Sequence, residues 1–269
     1  MFYQKKSFID SFIKLIKDCN KIVLDIYNTD FNVQYKSDLS PLTYADEQCN
    51  NHICNFLKQF NKDNDKNILI ISEENKTIDY EIRNKFDWVW LIDPIDGTKE
   101  FIKKNGEFTI NIGLCYKGVP VFGIVSIPVL NHIYYGAENI GSYKLILNEN
   151  NNIIKTIHLW SHQLYSTPIK IIVSRSHINK DTLKFINRFT KYQTLRSGSS
   201  IKLLLIAENK ADIYPRIGLT SEWDTCATHA ILKYANAKVI NFYTKKELRY
   251  NKKNLLNPFF ICSNKLNFF

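Results

Sequence analysis

Three observations predict a layered α/β fold. The segments 7–27 and 46–60 repeat apolar residues at helical spacing, and short apolar runs of strand length alternate with helical patterns along the rest of the chain. The third is that the clearest of these runs ends in acids. In WVWLIDPIDGTKEF (88–101), five apolar residues lead straight into Asp93 and Asp96, with Pro94 and Gly97 beside them. A turn needs Gly, Pro and at most one Asp. Two acids at the rim of a core, followed by Thr98 and Lys99, ask for another reason.

The first helix places Phe8, Phe12, Leu15, Ile16, Cys19, Ile22, Val23 and Ile26 on one face, with Asp10, Asp18 and Asp25 on its polar side. Those acids argue for packing on the chain's own core rather than on a membrane surface. A second helix uses Cys49, Ile53, Cys54, Leu57 and Phe60. Strands are expected at Ile68–Ile71, Trp88–Ile92, Phe108–Cys115, Val121–Ile127, His132–Tyr135, Lys170–Ser174, Ala211–Tyr214 and Val239–Phe242. Leu183, Ile186 and Phe189 suit a helix, and another begins near Trp223 with Cys226, Ala230, Ile231, Tyr234 and Ala235. The Asn-rich stretch 148–152 is a hairpin or surface loop. A boundary near 160 divides the chain into domains 1–160 and 161–269, and no internal repeat is visible.

At 269 residues, 45% hydrophobic and 23% charged, the chain is of ordinary globular composition and long enough for a substantial core. No run of apolar residues is long enough to span a bilayer. The N-terminal segment interrupts its apolar pattern with acids and lacks a small-residue cleavage site, so a secretory signal is not expected. The net charge of +10 comes with a broad Lys, Asn and Ile bias, which extends through the Lys- and Asn-rich segment 243–257. No aromatic–basic platform accompanies it, so nucleic acid is not an expected partner. The six cysteines form no CxxC pair, and Cys19, Cys49, Cys54 and Cys226, which lie within apolar periodicities, read as reduced core residues.

The acids follow one design. Glu73 and Glu74 end one buried strand, Asp93 and Asp96 end another, and Asp224 precedes a helix. Strand ends and helix starts converge at the rim of an α/β layer, where such folds place ligands. Like charges gathered there repel unless protonated or bridged by cations. A donor set of oxygens, without His or Cys, favours Mg²⁺ over zinc. Pro94 and Gly97 allow the two Asp carboxylates and the Ile95 carbonyl to face one point.

These pieces resemble the inositol monophosphatase superfamily of Mg²⁺-dependent, lithium-sensitive phosphatases. The resemblance is carried by KSDLSPLTYAD (36–46), SEE (72–74), DPIDGTKEF (93–101), NGEFTIN (105–111), SRSH (174–177), GSSIK (198–202), YPR (214–216) and WDT (223–225). It covers nearly the whole chain. It implies a layered α-β-α-β-α sandwich. It also implies two Mg²⁺ ions, one held by Glu73, Asp93 and the Ile95 carbonyl, the other by Asp93, Asp96 and Asp224. Some members use a third, loosely held ion. Thr98, oriented by Asp46, is implied to help Glu73 position and deprotonate the attacking water, and the N–H groups after Gly97 to meet the phosphate. One departure is Cys226, where the nucleotidases of the family carry alanine.

The same resemblance selects the substrate. Arg216 stands where inositol phosphatases carry a Glu, and its donor fork suits an anion. Ser199 and Lys202 resemble contacts to the adenosine and 5'-phosphate, Ser174 and His177 resemble residues lining that pocket, and the Lys99–Glu100 pair follows the nucleotidase pattern. The implied reaction is hydrolysis of 3'-phosphoadenosine 5'-phosphate to AMP and phosphate, with a role in sulfate assimilation. The alternative is an inositol monophosphatase or broad-specificity sugar phosphatase. The resemblance further implies a cytoplasmic monomer or homodimer, with the peripheral inner-membrane association described for bacterial relatives.

Overall fold

The computed structural model describes residues 1–30, 33–35, 41–161, 167–175 and 178–264. Helix α1 (Lys6–Tyr27) buries the predicted face, from Phe8 and Phe12 to Cys19 and Val23, with Ile22 and Ile26 half-buried. A short hairpin of β1 (Val33–Tyr35) and β2 (Pro41–Thr43) leads into α2 (Tyr44–Asp63). Next come β3 (Leu69–Ser72), a one-turn α3 (Tyr80–Arg83), β4 (Trp88–Asp96), α4 (Thr98–Ile102), β5 (Thr109–Tyr116), β6 (Val119–Ile127), β7 (His132–Ala137), β8 (Gly141–Leu147) and β9 (Ile153–Leu159). The remaining elements are β10 (Ile169–Ser174), α5 (Lys180–Ile186), β11 (Tyr192–Ser197), α6 (Ile201–Ala207), β12 (Ile213–Arg216), α7 (Cys226–Tyr234), β13 (Lys238–Asn241) and β14 (Phe260–Ser263).

Strands β3 to β9 form a seven-stranded sheet in sequence order, parallel only at β3–β4. Helices α1 and α2 cover one face of it, and α7 lies on the other across β5, β6 and β7. The second sheet runs β11-β10-β12-β14-β13. Alternation along its strands turns Ile172, Tyr214, Val239 and Cys262 toward α6 and α7, and Ile171, Val173, Ile213 and Ile261 toward α5. The layers are therefore helices, sheet, helices, sheet and helix, as the resemblance implied.

How closely α7 approaches the first sheet decides where the site falls. A Cβ added at Gly123 of β6 would sit 2.1 Å from the Ala227 carbonyl oxygen, so only glycine lets the helix lie this near. Small residues on α7, Ala227 and Ala230 among them, complete the fit, and the turn before α7 brings Asp224 close to Asp93 of β4. The helix begins at Cys226 rather than near Trp223, because Asp224 closes the preceding turn by accepting the Ser221 N–H at 2.9 Å.

Some elements carry no sequence expectation for physical reasons. Helix α6 is seven residues of almost unbroken apolar sequence, which has no periodicity to read. Strand β11 is largely exposed, and β9 is a solvent-facing edge strand. The Asn-rich stretch is the β8–β9 hairpin, where Asn148 Oδ1 accepts the N–H groups of Asn150 and Asn152. All six cysteines are free and buried. Among the described residues, no helix is long and apolar enough to cross a membrane.

Candidate active site

Parallel pairing sets Ser72 opposite Ile92, and the Glu73 N–H donates to the Ile92 carbonyl at 3.1 Å, so Glu73 stands next to Asp93. Beyond Ile92 the β4–β5 register slips between Asp93, paired with Asn111, and Asp96, paired with Thr109, a bulge that takes Pro94 and Ile95 out of the ladder. Asp93 Oδ1 accepts the Ile95 N–H at 3.1 Å. Gly97 ends the bulge at φ 94°, a left-handed conformation costly for other residues, and starts α4. Asp224 arrives from the opposite side on the turn before α7. Carboxylate oxygens of Glu73, Asp93 and Asp224 lie within 4.8 Å of one another.

Burial, then the charges of Glu73, Asp96 and Asp224, push the Asp93 carboxyl well above the usual range. Asp224 is raised in the same way, by burial and then by Asp96 and Glu73. Burial also raises Asp96, against the pull of Lys202 and the donors from Ser199 and Ser200. Asp46 is pushed up to about 7, chiefly by burial. Such a group of acids can ionise together only if a cation offsets the repulsion. The donors are all oxygens, a set that fits Mg²⁺.

Thr98 and Asp46 are differently engaged. Thr98 Oγ1 donates to the Ile95 carbonyl at 3.2 Å. Asp46 Oδ2 accepts the N–H and hydroxyl of Thr43 at 2.8 and 2.6 Å, closing the first turn of α2. Among the described residues no hydrogen bond joins Asp46 to Thr98, so the orienting contact expected between them is not formed. Helix capping takes the one group and the turn at Ile95 the other.

A cleft of about 150 Å³ opens beside this floor. Its wall includes Gly97, Ser174, Ser199, Lys202 and Arg216, together with Asp96 and Asp224. Ser199, at φ 52°, donates its hydroxyl to Asp96 Oδ2 at 2.8 Å, and the Ser200 N–H donates to the same oxygen at 2.5 Å. Thr109 and Asn111 of β5 hold the Ser200 hydroxyl at 2.8 and 2.9 Å. Ser199 thus faces the acidic floor, although its expected role was on the adenosine side. Lys202 is buried, donates to the Ser199 carbonyl at 2.5 Å and is lowered to about 8 by burial. Arg216 donates to the Leu219 carbonyl at 2.8 Å, and its Nε is buried without a hydrogen-bond partner. Ser174, Tyr214 and Arg216 also line an adjoining cavity of about 570 Å³. His177 and residues 36–40 of the first motif lie outside the described residues.

The sequence reading passed over the parts that hold these groups. Segment 243–257, read there as compositional bias, braces the Asp224 turn. Asn257 Nδ2 donates to the Ser221 carbonyl at 2.6 Å and to Thr225 Oγ1 at 3.0 Å. Glu222, fully buried, accepts the N–H groups of Asn251 and Lys252 at 2.5 and 3.0 Å and pairs with the Lys252 ammonium. A buried acid beside WDT was the available signal, since such a group needs partners.

A profile described as the inositol monophosphatase family matches residues 4–267. A protein of Salmonella typhimurium named 3'(2'),5'-bisphosphate nucleotidase CysQ is 36% identical over 254 residues, covering 94% of this chain and 98% of its own. A protein of the same name from Escherichia coli O157:H7 is 35% identical, covering 95% and 99%. The crystal structure of CysQ from Bacteroides thetaiotaomicron, described as a bacterial member of the inositol monophosphatase family, superposes with a TM-score of 0.79 at 37% identity, covering 94% of this chain and 97% of that one. With the same layers and a full-length match in sequence, the chain belongs to the inositol monophosphatase family.

Proposed function

We propose that this chain is a Mg²⁺-dependent phosphomonoester hydrolase, a 3'(2'),5'-bisphosphate nucleotidase that converts 3'-phosphoadenosine 5'-phosphate to AMP and phosphate. The observation that carries the reading is a cluster of carboxylates, Glu73, Asp93 and Asp224, within 4.8 Å of one another at a cleft whose other wall bears Lys202 and Arg216. The names of the relatives support the nucleotide as substrate, and with it a role in sulfate assimilation.

Glu73, Asp93, the Ile95 carbonyl, Asp96 and Asp224 would hold the ions, with Asp93 shared between two of them. Bound Mg²⁺ supplies Lewis-acid activation of water and neutralises charge on the phosphate and leaving oxygen. Glu73 orients the attacking water and accepts its proton, with the Thr98 hydroxyl beside it. Asp46 closes the first turn of α2 and feels the charges of Glu74 and Glu73. At the other wall, Lys202 and Arg216 meet the phosphate that is not cleaved. Ser174 and His177 belong to the nucleoside side of the same reading, and Ser199 lines the cleft with its hydroxyl on Asp96.

The division into 1–160 and 161–269 is part of this proposal, supported by a first sheet that ends at Leu159 and a second that starts at Ile169. A cytoplasmic location, peripheral contact with the inner membrane and a monomeric or dimeric state rest on the family resemblance. The test is phosphate release by purified protein with Mg²⁺, from 3'-phosphoadenosine 5'-phosphate and from inositol 1-phosphate. The nucleotide should turn over with the higher kcat/KM. Equal or better use of the inositol ester overturns the nucleotidase reading in favour of a broad sugar phosphatase.

A further inference from the structure

Glu107, in NGEFTIN, and Arg175, in SRSH, have no part in the reaction described above, yet they join three segments at the cleft. Arg175 Nε and Nη2 donate to the two oxygens of Glu107 at 2.7 and 2.6 Å, a bidentate pair. Glu107 Oε2 also accepts the Gly198 N–H at 2.9 Å. Arg175 is itself tied to the end of β11, its N–H donating to the Ser197 carbonyl at 3.2 Å. The loop before β5 is thereby fastened to the ends of β10 and β11.

The backbone of Glu107 is wedged in the same place. A Cβ at Gly97 would lie 3.1 Å from the Glu107 carbonyl oxygen and 3.2 Å from Ser199 Cβ, and one at Gly198 would lie 3.0 Å from that carbonyl. The turn that follows Asp96 and the turn that begins at Gly198 therefore pack on either side of one residue. Immediately after Gly198 come Ser199, at φ 52°, and Ser200, whose hydroxyl and N–H respectively reach Asp96 Oδ2. A continuous path of hydrogen bonds runs from Arg175 through Glu107 and the Gly198–Ser200 turn to Asp96.

We propose that Glu107 is a positioning residue of the active site: its carboxylate, steadied by Arg175, fixes the Gly198–Ser200 turn so that two donors orient Asp96. The role rests on the magnesium reading of the previous section. It differs from a general brace in one respect, because the Gly198 N–H needs an acceptor at position 107, whereas a brace needs only an ion pair.

Calorimetric titration of the full chain with Mg²⁺, with thermal midpoints measured alongside, separates the two. Glu107→Ala should weaken Mg²⁺ binding by up to about 10-fold, the low end of the loss seen when a direct hydrogen-bond partner of a metal ligand is removed, because Glu107 acts on Asp96 through the Gly198–Ser200 turn. Glu107→Gln, whose amide oxygen still accepts from Gly198, should stay close to the unmodified chain. In the double variant Glu107→Arg with Arg175→Glu the ion pair returns with its sign reversed. An arginine side chain has no acceptor, so the thermal midpoint should recover while Mg²⁺ affinity does not. Unchanged affinity in Glu107→Ala, or full recovery in the double variant, overturns the proposal. If Glu107→Ala does not fold, the contrast between Glu107→Gln and the double variant decides. The titration uses no substrate, so a failure here with nucleotide turnover intact removes the positioning role alone. An unmodified chain that binds no Mg²⁺ removes the metal reading as well.

Discussion

Asp93 and Lys202 are both nearly inaccessible, at 1% and 7% exposure, yet burial meets opposite company at each. Around Asp93 the charges that matter are those of Glu73, Asp96, Asp224 and Asp46, all of its own sign, and they add to the cost of burial. Around Lys202 they are mainly Asp96, Glu100 and Glu107, which offset that cost, with Arg216 alone opposing. The floor of the cleft is therefore frustrated until a cation arrives, whereas at the wall the chain's own acids offset part of the cost of burial. The floor should carry the chemistry and respond to metal. The wall should carry selectivity, with smaller stakes for each residue.

The most severe way to break this contrast is Asp93→Asn, which removes charge from the residue expected to serve both ions. Turnover should fall by more than about 10⁴-fold, beyond the usual loss of a single proton-transfer group. Titrating Mg²⁺ against the variant checks the assignment. Recovery of wild-type turnover at ordinary Mg²⁺ concentrations shows that Asp93 does not bridge.

A smaller and more selective effect is expected on the wall. Arg216→Glu places a carboxylate where the remote phosphate should lie, removing charge-assisted hydrogen bonds and adding repulsion. Its kcat/KM for 3'-phosphoadenosine 5'-phosphate should drop about 10- to 100-fold, the equivalent of one lost charge-assisted bond. A small monophosphate ester without a second anion should be far less affected. Equal losses for both substrates place Arg216 in support of the fold or the floor.

The mildest test reads stability. Asp46 is raised by burial to about 7, and Asp93 and Asp224 are raised well above the usual range. The folded chain thus keeps protons that the unfolded chain releases near pH ~4. The stability these groups contribute is present below that pH and is lost as pH rises toward their folded values. Lys202, lowered to about 8, acts with the opposite sign only above that pH, and His132 and His229, held low by burial, act with the opposite sign only below about pH 6.5. In EDTA the thermal midpoint should therefore fall between about pH 6.5 and pH 8. Mg²⁺ at about 100 times its dissociation constant should add about 2.7 kcal/mol at the upper end. For a chain of this size that is a rise of about 5–10 °C. A midpoint that climbs with pH in EDTA contradicts a repulsive floor.

The floor was legible in the sequence, because each of its acids is placed by its own neighbours. Glu73, Asp93 and Asp96 follow apolar strand runs, Pro94 lies in the bulge between the two aspartates, and Gly97 ends it. Asp224 was found by its place before a helix, although the helix itself starts later than its apolar pattern suggested. The wall was legible only through family resemblance. Nothing around Ser199 announces that its hydroxyl bonds to Asp96, and nothing in the polar segment 243–257 announces that Asn257 braces the Asp224 turn. No hydrogen bond joins Asp46 to Thr98 among the described residues, and Asp46 Oδ2 is engaged by the N–H and hydroxyl of Thr43.

By itself, the sequence determined which strands end in acids and that their oxygens call for a hard cation. Periodicity, turn residues and charge act over a few positions and can be read there. Tertiary structure alone decided which distant groups hold those acids in place. Ser199 reaches Asp96 across 103 positions and Arg175 reaches Glu107 across 68. Hydrogen bonds between such residues leave no period or composition behind, since each partner is an ordinary polar residue until the two sheets and the helices between them bring it within about 3 Å of the other.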